Sequence, residues 1–96
     1  MWFVYIIENK VGHFYTGISK DVTRRFEEHN SGGHKCAKAL KGKGPLQLIY
    51  CCQLDDHSGA LKMEIWIKKL SKTEKINLVH NRLHYPLPHR KISLPI

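Results

Sequence analysis

Residues 3–29, FVYIIENKVGHFYTGISKDVTRRFEEH, decide the fold. From Trp2 to Ile7 every residue is aromatic or β-branched, which predicts a strand covered on both faces near the middle of a sheet. Strand geometry puts Phe3, Tyr5 and Ile7 on one face and Trp2, Val4 and Ile6 on the other. Glu8-Asn9-Lys10 and Gly12 interrupt the run and Phe14-Tyr15-Thr16-Gly17-Ile18 resumes it, so the two strands form a hairpin that brings Tyr5 beside Tyr15. Ser19 is placed to cap a helix starting at Lys20, Asp21 suits its first turn, and Asn30 to Gly33 supply the stop. Along that helix Val22, Arg25, Phe26 and His29 recur at i, i+3, i+4 and i+7. This turns Arg25 and His29 inward with the apolar residues and leaves Arg24, Glu27 and Glu28 outward.

Beyond this stretch, residues 34–45 read HKCAKALKGKGP, a short helix at most, with a Gly-rich exit. They hold Lys35, Lys38, Lys41 and Lys43, the densest positive patch in the chain. Leu46 to Cys52 reads as a third strand. From Ala60 to Leu70 an amphipathic helix carries Met63, Trp66, Ile67 and Leu70 at helical spacing, with Glu64 at the edge of that stripe. Ser71-Lys72-Thr73-Glu74 is a capping box that separates this helix from another running to about His80. After Asn81, Pro86, Pro88 and Pro95 alternate with Arg82, Arg90 and Lys91, which predicts an extended, partly disordered tail. The expectation is an α+β domain over residues 1–81, a three-stranded antiparallel sheet flanked by helices, with a basic tail over 82–96.

Sixteen Lys and Arg against eight Asp and Glu give a net charge of +8 and a pI near 9.6. Such a balance favours a polyanionic partner through long-range attraction and counterion release, nucleic acid before an anionic membrane surface. No apolar run reaches the roughly 20 residues a membrane-spanning helix needs, and no secretion leader is recognisable. The expected setting is the cytoplasm, at the nucleoid if the source is bacterial. Cys36, Cys51 and Cys52 form an odd set without metal-site spacing and read as buried thiols.

The order of these signals resembles the GIY-YIG endonuclease superfamily: Val4-Tyr5 in the first strand, Tyr15-Thr16-Gly17 ten residues on, RRFEEHN on the next helix and a glutamate on a later one. The segment AKALKGKGPLQLIY is similar to its small stand-alone members. The resemblance implies hydrolysis of DNA phosphodiesters at a site holding one divalent ion, Mg²⁺ or Mn²⁺, with repair or recombination as the setting. Position by position it makes Tyr5, Tyr15, Arg25, His29 and Glu64 the catalytic group, Glu64 the metal ligand and Gly17 a substrate-side glycine. Phe3-Val4 replaces the name-giving Gly-Ile, Ile18 stands where some members carry a lysine, and the usual asparagine after the glutamate matches Asn77 or Asn81.

Phosphodiester hydrolysis needs these residue types on chemical grounds as well. A carboxylate suits Mg²⁺, a planar guanidinium suits the phosphate, and a tyrosine or histidine can handle the proton, tyrosine only if nearby cations lower its pKa from about 10. Gly17 would let the scissile strand come close to the backbone. Lys35, Lys38, Lys41 and Lys43 would follow the phosphate backbone without reading sequence, so cutting is expected to be structure-selective or weakly selective. RNA is a further possible ligand. The rival expectations are a binding module of the same fold that has lost turnover, and a domain that meets a protein partner through the tail from Arg82 onward.

Overall fold

The computed structural model describes residues 1–96. Strand β1 (Trp2–Glu8) lies between β2 (Phe14–Ser19) and β3 (Gln47–Leu54), and β4 (Arg90–Lys91) extends the other side of β3. All neighbours are antiparallel, in the order β2-β1-β3-β4. The sheet therefore has four strands rather than the expected three, because the C-terminal segment returns to pair with β3.

Alternation along β1 divides the core in two. Val4 and Ile6 pack with Ala60, Met63 and Ile67 of α2 (His57–Lys68) on one face. Tyr5 and Ile7 pack with Val22 of α1 (Val22–Ser31), Cys36 and Leu40 on the other. Val4, Tyr5, Ile6 and Ile7 are all 0 or 1% exposed, which is why β1 carries no charged residue before its last position, Glu8. Cys51 and Cys52 follow the same alternation into opposite clusters as free, buried thiols. Burial pushes the Cys51 thiol up to about 11, which leaves it inert.

Helix α1 begins two residues later than the sequence suggests. Asp21 is the N-cap, its side chain accepting from the Arg24 N–H at 3.1 Å, while the Ser19 hydroxyl accepts from the Asp21 N–H at 3.0 Å. Ser19 thus holds the residue that caps. Gly32 ends the helix in the left-handed conformation, φ 70°. Helix α2 starts at His57, capped by Asp56, three residues before the Ala60 start that the sequence suggests. The Ser71–Glu74 capping box then opens α3 (Lys72–Val79), as the sequence predicts.

Residues 33–43 form no helix but a chain of turns, held by bonds such as Cys36 N–H to the Gly33 carbonyl and pinned by buried Cys36 and Leu40. The expected disordered tail is also replaced by structure. Tyr85 is 6% exposed against Trp66, ring centroids 5.0 Å apart, and the Ile92 N–H donates to the Cys51 carbonyl. The Lys91 ammonium donates to the Val79 carbonyl and to the Asn81 side chain, closing the end of α3. The radius of gyration, 12.6 Å, matches the about 12.5 Å of a chain of this length that is compact throughout.

Candidate active site

Tyr5 pairs with Gly17 across the hairpin and Tyr15 with Ile7, which puts the two phenol rings on one face with centroids 6.5 Å apart. The inward stripe of α1 delivers His29 to the same place. Its ring centroid lies 6.1 Å from that of Tyr5 and 5.4 Å from that of Tyr15, and its Nε2 is 3.0 Å from the Tyr5 hydroxyl. On the other side of the ring Nδ1 accepts from the Ala37 backbone N–H at 3.2 Å. His29 is 1% exposed. Burial first, and the Arg25 charge second, hold its pKa below the usual histidine value, against a smaller opposing effect of Glu28.

Gly17 has a structural reason to be glycine. A Cβ there would stand 2.5 Å from the Tyr5 hydroxyl oxygen and 2.7 Å from its Cζ, with Tyr15 Cε2 at 3.2 Å. The bare Cα makes room for the Tyr5 ring, so the open face expected for an approaching strand is covered by the protein's own tyrosine. Tyr5 also departs from the expectation that cations lower its pKa. Burial raises it well above the ordinary phenol value, Tyr15 adds to that, and Arg25 only partly counters it. At neutral pH the residue is a phenol that keeps its proton.

Arg25 lies one turn before His29. Its Nη1 donates to Glu28 Oε1 at 3.0 Å and to the Lys35 carbonyl at 2.6 Å. Both bonds use Nη1, so the Nη2 and Nε edge keeps the donors that a phosphate would take side-on. Glu28 is thus not the outward residue that periodicity suggests; it clamps the arginine, and the i, i+3 spacing of the pair was the available signal. The lysine-bearing turns lie against this cluster through the Lys35 carbonyl and the Ala37 amide. The side chains of Lys35, Lys38, Lys41 and Lys43 are exposed, and Lys35 Nζ comes within 3.9 Å of Glu28.

Glu64 arrives from the other side of the sheet. Its helix α2 packs on β1 and β2 over the Val4–Ile6 face, yet the carboxylate is near enough to contribute to the raised pKa of Tyr5. Glu64 is mostly covered, 16% exposed, with Lys68 Nζ at 3.4 Å one turn on. Asn81 bonds Lys91 beside β4, at the sheet edge opposite β2. Asn77 uses its carbonyl to accept from Arg82 and Leu83, closing the turn after α3. Ile18 packs against the α2-side core.

No three His, Cys, Asp or Glu side chains gather into a cage. The donor that does exist, the single carboxylate of Glu64 within electrostatic reach of Tyr5, fits a hard and largely hydrated ion such as Mg²⁺, which binds through one or two carboxylates and completes its shell with water and phosphate oxygens. Glu64 would be the protein ligand, released from Lys68 to do so.

The family model of the GIY-YIG catalytic domain matches residues 1–77. A UPF0213 protein of Pectobacterium carotovorum subsp. carotovorum is 48% identical over 81 residues, covering 84% of this chain and 80% of that protein. A UPF0213 protein of Vibrio campbellii is 51% identical over 78 residues, covering 81% and 73%. Among solved structures, the solution NMR structure of the UPF0213 protein from Bacillus halodurans is 38% identical, covers 85% of this chain and 86% of that one, and superposes with a TM-score of 0.55. No helix is long and apolar enough to cross a membrane. With the matched residues spanning both tyrosines, the arginine, the histidine and the glutamate, the chain belongs to the GIY-YIG superfamily of nuclease domains, in its small single-domain UPF0213 group.

Proposed function

We propose that this protein is a divalent-metal-dependent endonuclease that hydrolyses DNA phosphodiester bonds, with weak or structure-based selectivity. The observation that carries the reading is the meeting of Tyr5, Tyr15 and His29 beside an arginine whose second edge is free, with Glu64 in electrostatic reach. Arg25 binds the scissile phosphate through Nη2 and Nε and offsets the charge that builds on it as water attacks. Tyr5 and Tyr15 orient the attacking or departing oxygen with their hydroxyls. His29, with both ring nitrogens facing protein groups, acts on the reaction through Tyr5 rather than on water. Glu64 holds the Mg²⁺ or Mn²⁺ ion, which supplies Lewis-acid stabilisation of the phosphoryl oxygens when bound. Lys35, Lys38, Lys41 and Lys43 give sequence-independent contact with the flanking backbone.

Plain, nicked and branched DNA incubated with Mg²⁺ or Mn²⁺ tests the reading. Wild type nicks at least one of them, and Glu64→Ala loses that activity while still binding DNA with steep salt dependence. Equal cleavage by both proteins removes Glu64 from the site. Salt-sensitive binding with no cleavage at any enzyme concentration identifies a binding module, favoured in that case by the Lys68 ammonium standing on Glu64.

A further inference from the structure

A backbone amide can only donate, so the Ala37 N–H bonded to His29 Nδ1 requires that nitrogen to carry a lone pair. Burial and the Arg25 charge keep the ring neutral, and a neutral ring must then hold its proton on Nε2. Nε2 faces the Tyr5 oxygen at 3.0 Å. The direction of that bond follows: His29 donates, the Tyr5 oxygen accepts, and the Tyr5 hydroxyl proton is left over.

We propose that the Ala37 amide is a positioning group of this site, fixing His29 as the Nε2–H tautomer and so turning the Tyr5 hydroxyl proton away from His29, from where it is donated to a phosphodiester oxygen. The second half of this statement rests on the nuclease reading; the tautomer does not. Ala37 lies two residues from Lys35, whose carbonyl holds Arg25. The turns that present the exposed lysines therefore also set the two α1 side chains of the site. The groups facing His29 are Tyr5 and Tyr15 from the hairpin, Arg25 and Glu28 from α1, and the Ala37 amide from the turns. None of them offers Nδ1 an acceptor that would favour the other tautomer.

Imidazole ¹⁵N–¹H correlation NMR on the 96-residue chain near neutral pH, without DNA, decides the first half. The expected spectrum shows Nδ1 unprotonated and Nε2 protonated, since one hydrogen bond of ordinary net strength favours its tautomer by about tenfold. Tyr5→Phe and Ala37→Gly keep that spectrum, because the amide remains; Ala37→Pro, which removes the N–H, gives a mixture. A protonated Nδ1 in wild type, or a tautomer that changes in Tyr5→Phe, overturns the proposal without relying on the proline variant folding. For the second half, a short DNA duplex is titrated in EDTA, where no cleavage occurs. Tyr5→Phe is expected to bind about tenfold more weakly than wild type, as for loss of one donor to a charged oxygen; equal affinity overturns the donor role. Failure of wild type to bind DNA sinks the nuclease reading and that donor role together, and leaves the tautomer result standing on its own.

Discussion

Replacing Gly17 by alanine puts a methyl group where the Tyr5 ring now lies, 2.5 Å from its oxygen and 2.7 Å from Cζ. Tyr5 is 1% exposed, flanked by the buried cluster beneath α1 and tied to His29, so it cannot swing aside without losing that bond. Overpacking of this kind costs about 1–3 kcal/mol and a lost hydrogen bond costs about 1 kcal/mol more. Against this, alanine gains about 0.5–1 kcal/mol over glycine in a strand. The net destabilisation is about 2 kcal/mol, which lowers Tm by about 10 °C in a domain of this size. Thermal and urea unfolding followed by circular dichroism measures it. In Tyr5→Phe/Gly17→Ala the nearest clashing atom is gone but Cζ remains, so the double mutant is less destabilised than the sum of the two singles by about 1 kcal/mol. A Gly17→Ala protein as stable as wild type, or strict additivity in the cycle, would refute the packing argument.

The His29 pKa is held below its unfolded value near 6.5 by burial and Arg25, so the unfolded chain binds more protons on acidification. The stability this residue contributes is complete above about 6.5 and falls as pH drops from there through the folded pKa; urea unfolding of wild type minus His29→Gln between neutral and mildly acidic pH should show that slope and its absence. Tyr85→Ala removes a buried ring that the C-terminal segment places on Trp66, and should cost about 3 kcal/mol by the same unfolding assay; a loss below about 0.5 kcal/mol would mean residues 82–96 are an appendage. Arg25→Lys keeps the charge but loses the fork, so one ammonium must serve Glu28, the Lys35 carbonyl and phosphate together. DNA cleavage should fall by about 100-fold with unfolding stability nearly unchanged, and full activity would exclude side-on phosphate binding.

Much of this geometry can be read from sequence because it rests on periodicity. The two-faced strand at Trp2–Ile7, the tyrosine pairing across the hairpin and the inward Arg25–His29 stripe all follow from spacings of two and of three to four residues. Helix boundaries were less legible where two capping residues compete: Ser19 and Asp21 both qualify, and only their mutual hydrogen bonds decide between them. The fourth strand was hidden because Tyr85, Ile92 and Leu94 are scattered among prolines with no period, and a two-residue strand leaves no pattern. Two features of the site have the same kind of obscurity. The Lys35 carbonyl and the Ala37 amide are backbone groups, which every residue carries, so no residue type marks them. The raised pKa of Tyr5 depends on burial from both sides, a property of the assembled layers rather than of the tyrosine's neighbours in sequence.

Strand β1 is the shared wall of both cores, and its second partner β3 follows it by about forty residues of chain. On the ribosome the β1–β2 hairpin is complete long before Leu54 is made. At typical elongation speeds the 35 residues between Ser19 and Leu54 take about 2–7 s to synthesise. Throughout that interval Val4 and Ile6 lack α2, which is made only after Leu54, and one edge of β1 has unpaired backbone groups, an open template for another chain. The same apolar strand that holds the site in the finished protein leaves the nascent chain open to pairing with another chain until β3 is made.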